Sequence, residues 1–190
     1  MIKIAGSIRR TFRFPATLPT ALAYYSDLPY ILKFLPHISI VKIFTQDHFR
    51  ALYETTEFGG YKIQIFCDFQ SVVDHDLAVI RIVPGNGLNP IDEKAGLNSS
   101  IAKGVFQSES LFMEDGEETE IEYFLQLNAE LPTPIGLRLL PDRVHNTIAK
   151  NITGYRMREI ADGFIEHSIA GFARWQANRQ NPAEAVEVKG

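Results

Sequence analysis

The sequence predicts an α+β fold in which one strongly curved antiparallel sheet of about seven strands wraps a long C-terminal helix. Three observations carry this. Alternating apolar and polar residues joined by tight turns run from Ile38 to Leu131. One helical stretch follows, from Pro141 to about Arg179, and nothing strand-like comes after it. A single sheet followed by a single long helix leaves a hollow between them.

Each element has its own signal. Ile2 to Phe14 reads as a first strand, stopped by Pro15. Thr17 to Ser26 forms a short helix, with Thr17 as N-cap and Pro19 tolerated in the first turn. A second short helix starts at Asp27, carries Tyr30, Ile31, Phe34 and Leu35, and ends at Pro36. Strands follow at 38–45, 48–58, 61–73, 77–84, 101–114 and 117–131. Gly59-Gly60 and Asp115-Gly116 are the strongest turn signals, because a type I′ turn needs positive φ at both central residues. Gly85 to Asn98, rich in Gly, Asn and Pro, is either mobile or a lid, and is the expected gate of the hollow.

Turn length fixes which residues share a face. Tyr61, Ile63, Ile65, Cys67 and Phe69 alternate with polar residues and face inward. A two-residue Gly59-Gly60 turn pairs Phe58 with Tyr61, Thr56 with Ile63 and Glu54 with Ile65; the Gln46-Asp47 turn pairs Leu52 with Val41 and Arg50 with Ile43. In the last hairpin Ile121, Tyr123, Leu125 and Leu127 lie opposite Phe112, Ser110, Ser108 and Phe106. The inner face so derived is not purely apolar: it includes Arg10, Arg50, Glu54, Thr56, Ser71, Ser108, Ser110 and Tyr123. A sealed core avoids such groups, since an unpaired buried hydroxyl costs roughly 1–3 kcal/mol and a lone charge more. A wet or ligand-filled cavity accommodates them.

The terminal helix changes its apolar face along its length. Val144, Ile148, Ile152 and Tyr155 form one stripe, and Met157, Ile160, Ala161, Phe164, Ser168, Phe172 and Trp175 form another on nearly the opposite side. The switch falls at Asn151 to Gly154, so a short helix, a kink and a longer packed helix are expected. Gly163 and Gly171 inside the second part point to a close approach or to room for a ligand.

Composition narrows the function. The chain has 190 residues, 45% of them hydrophobic, without a shift that marks a second unit; one domain over 1–180 with a flexible tail at 181–190 is expected. A net charge of −4 disfavours nucleic acid as a partner, and no run approaches a membrane span. Without a leader-like segment, a cytoplasmic location is the default. One cysteine, Cys67, excludes an intramolecular disulfide framework. No phosphate loop, nucleophile elbow or zinc motif is present, and no metal or cofactor is expected. His75 between two aspartates reads as a solvated turn, and Asp142 with His145 as ordinary helix-start residues.

Three stretches are similar to a known family: Pro15-Ala16-Thr17, the run from Leu28 to Pro36, and Ala170-Gly171-Phe172-Ala173-Arg174-Trp175. With the element order, they resemble the START or Bet v 1-like superfamily, the SRPBCC or helix-grip group, near its polyketide cyclase and coenzyme Q-binding-like proteins. The resemblance implies a helix-grip fold and an internal cavity for a hydrophobic small molecule such as a lipid or isoprenoid quinone. Arg10, Glu54, Ser108 and Tyr123 are the expected orienting groups, with Tyr61, Ile65, Cys67, Phe106 and Phe164 around them. Two alternatives stand beside carriage of a ligand. One is a cyclase- or dehydratase-like enzyme using Glu54 with Tyr61 or Tyr123; the other is an interaction module whose cavity is collapsed.

Overall fold

A computed structural model describes residues 1–57, 60–85 and 90–180. β1 (Ile2–Phe14) leads into α1 (Leu18–Tyr25) and α2 (Leu28–Ile31), which continues as a 3₁₀ turn, Leu32–Phe34. Six long strands follow: β2 (Ile38–Ile43), β3 (His48–Glu57), β4 (Tyr61–Asp74), β5 (Val79–Pro84), β7 (Ser99–Asp115) and β8 (Glu118–Leu131). Between β5 and β7 lies the two-residue β6 (Lys94–Ala95). α3 (Asp142–Asn151) and α4 (Met157–Gln180) end the described chain, joined by a π-helical turn, Ile152–Arg156.

The eight strands form one sheet in the order β1-β8-β7-β5-β4-β3-β2, with β6 paired to β7. All neighbours are antiparallel except one stretch. There β7 runs parallel to β4, from Lys62↔Ser99 to Cys67↔Gly104, before it pairs with β5. Closing β7 onto β4 in this way curls the sheet around a concave face, on which the helices pack.

The helical wall is fastened by aromatic side chains. Tyr24 donates its hydroxyl to the Ser168 carbonyl at 2.6 Å, and Tyr30 donates to the Gly171 carbonyl at 3.0 Å. Ser168 Oγ donates to Ile165 O and lies 2.9 Å from the Tyr25 hydroxyl, whose proton it therefore accepts. Trp175 Nε1 donates to Asp27 at 3.1 Å. The rings of Phe14, Tyr24, Phe172 and Trp175 pack within this frame, Phe14 being 4.8 Å from Phe172 centre to centre. The two helix glycines are explained by residues 34–36, at and just after the 3₁₀ turn, and not by the sheet. A Cβ on Gly171 would run into the Phe34 ring, and one on Gly163 would sit 2.6 Å from Pro36 Cγ.

The stripe change in the terminal helix coincides with the π turn. Ile148 before it and Ile152 at its start are buried, as are Met157, Ile160, Ala161, Phe164, Ser168, Phe172 and Trp175 after it. A π turn holds one residue more than an α turn, which rotates the following stripe relative to the preceding one. Tyr155, expected on the first stripe, instead points into solvent.

Two hairpin registers differ from expectation. Glu57, not Phe58, pairs with Tyr61, so three residues lie between the partners and every β3 position shifts face. Phe49, Ala51, Tyr53, Thr55 and Glu57 are buried, whereas Glu54 and Thr56 are exposed. Between β2 and β3 the register slips at Val41, where Ile40 pairs with Ala51 and Lys42 with Arg50. Val41 and Ile43 are consequently exposed. The β7–β8 hairpin pairs Ser110 with Tyr123 and Ser108 with Leu125, as its turn implies.

Candidate functional site

The concave face carries a row of partners across four strands: Ile80, Ser110, Tyr123 and Arg10, from β5 through β7 and β8 to β1. The adjacent row is Ile82, Ser108, Leu125 and Ile8. Opposite them stand Tyr25, Leu28, Ile31, Leu32 and Leu35 of the α1–α2 segment, and Phe164 of α4. Between these walls is a cavity of about 30 Å³. That is room for one or two waters. A second space of about 10 Å³ adjoins it, lined by Ile38, Ala51, Tyr53, Cys67, Phe69 and Leu127. Leu35 and Phe106 line both and form the partition between them.

The hydroxyls of Ser108, Ser110 and Tyr123 make no hydrogen bond among the described residues, although all three line the larger space. Burial pushes the Tyr123 phenol well above its ordinary range, so it is a neutral hydroxyl at any physiological pH. The Tyr25 phenol is raised by the same cause, and its proton is already spent on Ser168. Tyr123 packs its ring 5.0 Å from that of Phe164.

The remaining expected site residues fall elsewhere. Arg10 does point to the helix side, but its Nε donates to Asp162 Oδ1 at 2.7 Å and a terminal nitrogen donates to Oδ2 at 3.3 Å. It is a part-exposed clamp between β1 and α4. Glu54 lies on the convex side, 3.0 Å from Lys62 Nζ and bonded to Gln64, and these partners hold its carboxyl below the usual range. An acid–base role in the hollow is therefore closed to it. Tyr61 is buried but donates to Ser100 Oγ at 3.0 Å, near a separate groove under α3. Ile65 is fully buried core and lines neither space. Cys67 faces the smaller space, where burial pushes its thiol up to about 12. Arg50 is on the convex side and nevertheless buried, gripping Asp68 at 2.6 and 2.8 Å.

The sequence pattern places Arg156 and Glu159 on a charged helix flank, and the structure joins them with Glu57 and His37 in one ionic cluster. Arg156, in the π turn, donates from Nε to Glu57 Oε1 at 2.9 Å and from Nη1 to Glu159 Oε2 at 2.6 Å. His37 Nε2 lies 3.1 Å from Glu159, with its backbone at φ 62°. The Tyr53 hydroxyl is buried close by, without a partner in hydrogen-bonding geometry. Burial of Glu159 alone would raise its pKa, but Arg156 and His37 outweigh this and hold it below the usual value. The apolar alternation of β3 signals that Glu57 is inward, since Phe49, Ala51 and Tyr53 share its parity.

The expected gate is fastened where it is described. Lys94 and Ala95 pair with Ile101 and Ser100, and Glu93 accepts the Lys103 amide at 2.9 Å. Residues 86–89 and 181–190 lie outside the described residues, so the gate's tip and the tail are not placed.

A curled sheet gripping a terminal helix, with two short helices after the first strand, is shared with solved structures over most of the chain. The chain has the helix-grip fold. A conserved protein from Geobacillus kaustophilus superposes with a TM-score of 0.52 at 10% identity, covering 90% of this chain and 96% of that one. The Zhui aromatase/cyclase from Streptomyces sp. R1128 gives 0.51 at 11% identity, covering 90% and 94%. Human STARD10 gives 0.48 at 13%, covering 90% of this chain and 66% of its own. No family model and no curated protein matches the sequence. Among the described residues of this helix-grip chain no helix is long and apolar enough to cross a membrane, and no metal-binding cluster occurs.

Proposed function

We propose that the protein binds a hydrophobic small molecule, of the lipid or isoprenoid quinone kind, between the concave sheet and the α1–α2 wall. The supporting observation is the set of three unpartnered hydroxyls, Ser108, Ser110 and Tyr123, in an otherwise apolar lining. Tyr123 is buried and Ser108 and Ser110 are half-buried beside it; an unpaired buried hydroxyl costs roughly 1–3 kcal/mol, which a ligand oxygen would recover. Uptake requires the α1–α2 wall to part from β5 and β7, with Leu35 and Phe106 moving aside so that the two small spaces merge. Burial of apolar ligand surface, at roughly 25 cal/mol per Å², would drive it. Native mass spectrometry and solvent extraction of freshly purified protein test this. A bound apolar compound is expected, and its repeated absence would count against the reading.

The size of the free space, about 30 and 10 Å³, favours a second reading as an interaction module with a closed interior. Leu97, Ile135, Leu139 and Leu140 then supply an exposed apolar surface, where the Ile135 and Gly136 amides bond to Gly96 and Leu97. Under that reading no apolar compound raises the melting temperature.

A further inference from the structure

We infer that the site selects uncharged, oxygen-bearing amphiphiles, such as alcohols, phenols and ketones, over carboxylates, phosphates or amines on the same carbon skeleton. This rests on the ligand-binding reading and sharpens it by following where the charges go. Among the described residues, the lining of the larger space contains no Lys, Arg, His, Asp or Glu. Two arginines of the concave side are already matched, Arg10 by Asp162 and Arg156 by Glu57 and Glu159. The Arg50–Asp68 pair and Glu54 belong to the other face of the sheet. A carboxylate or ammonium brought into this space would lose its water and meet no counter-ion, which is costly.

The hydroxyls suit a neutral oxygen. Ser108 and Ser110 sit two residues apart on one face of β7, about 7 Å along the strand. Ser110 is directly opposite Tyr123. Each hydroxyl can donate one hydrogen bond and accept others, so a ligand hydroxyl or carbonyl is satisfied from either side. The apolar remainder of the ligand has one direction to run. Phe106 separates the hydroxyl-bearing space from a second one whose lining, Tyr53 aside, is aliphatic, aromatic or thiol. The head is held at Ser108, Ser110 and Tyr123, and the tail lies past Phe106 toward Cys67.

Titration calorimetry of the full chain with decan-1-ol, decanoate and decylammonium near neutral pH tests the selection. The alcohol is expected to bind at least about tenfold more tightly than either ion, the equivalent of one or more good hydrogen bonds and an avoided charge. Decanoate affinity should rise as pH falls toward its own pKa, a measurement on the unaltered protein. In Ser108→Ala/Ser110→Ala the alcohol is expected to lose about tenfold while the thermal melt holds or rises. Equal affinity for all three compounds, or tighter binding of an ion, would overturn the selection and leave ligand binding standing. If none of the three binds, ligand binding itself is overturned.

Discussion

At the residue scale, buried and half-buried polar groups divide into those with partners and those without, and the two kinds respond oppositely to removal. The Arg50–Asp68 pair is buried on the convex face with both fork contacts made. Asp68→Asn would remove the charge that this buried guanidinium faces, so a loss of about 3–5 kcal/mol is expected in urea denaturation. Ser110→Ala removes an unpartnered hydroxyl and is expected to leave stability within about 1 kcal/mol of the parent or above it. Cys67 tests the sealing of the interior. Its thiol is raised from 9.0 to about 12 in the folded protein by burial, next to the Asp68 charge. A raised acid contributes its full stability below the unfolded value, here 9.0, and loses it progressively as pH rises toward about 12. Denaturation midpoints should therefore fall above about pH 9, and fall less in Cys67→Ala, which is weaker at neutral pH. Equal alkaline losses in both proteins would show that the thiol is not sealed.

At the scale of elements, the last hairpin was legible from its turn alone, and the β3 hairpin was not. A two-residue turn at Gly59-Gly60 places Glu54 inside, yet Phe49, Ala51 and Tyr53 alternate in favour of the opposite face. Burial of two aromatic rings and Ala51 outweighs the preferred geometry of one turn, so the register follows the core. The Val41 slip had no such signal, because Ile38, Ile40, Val41 and Ile43 offer apolar groups on both faces. In the terminal helix the pattern was decisive, since its change of stripe marks the π turn. Deleting Gly154 would restore an α turn and swing Ile148 off the sheet, about 100° around the axis. A cooperative loss of stability and a helix content otherwise kept are the expected result in circular dichroism. Gly171→Ala is expected to cost about 1 kcal/mol, the helix gain being outweighed by collision with Phe34. Phe34→Leu in the same chain should recover most of it, as a double-mutant cycle would measure.

Across the whole molecule, the sheet-then-helix order carried the architecture, because sequential strands and one terminal helix leave few ways to pack. The site was only partly legible. Ser108, Tyr123, Phe106 and Phe164 line the larger space and Cys67 the smaller, whereas the charged members, Arg10 and Glu54, depended on partners distant in sequence. Asp162 lies 152 residues from Arg10, a separation at which no local pattern announces a pair. The tyrosine anchors of α1 and α2 have a mechanical consequence. Tyr24 and Tyr30 end on main-chain carbonyls of α4, which side-chain rearrangement does not displace. The three helices are therefore expected to move as one stiff jaw, with the compliant seam along β5 and β7. Hydrogen exchange should show the amides of β5 opening more readily than those of α1. Slow exchange in β5 and fast exchange in α1 would put the hinge on the wrong side.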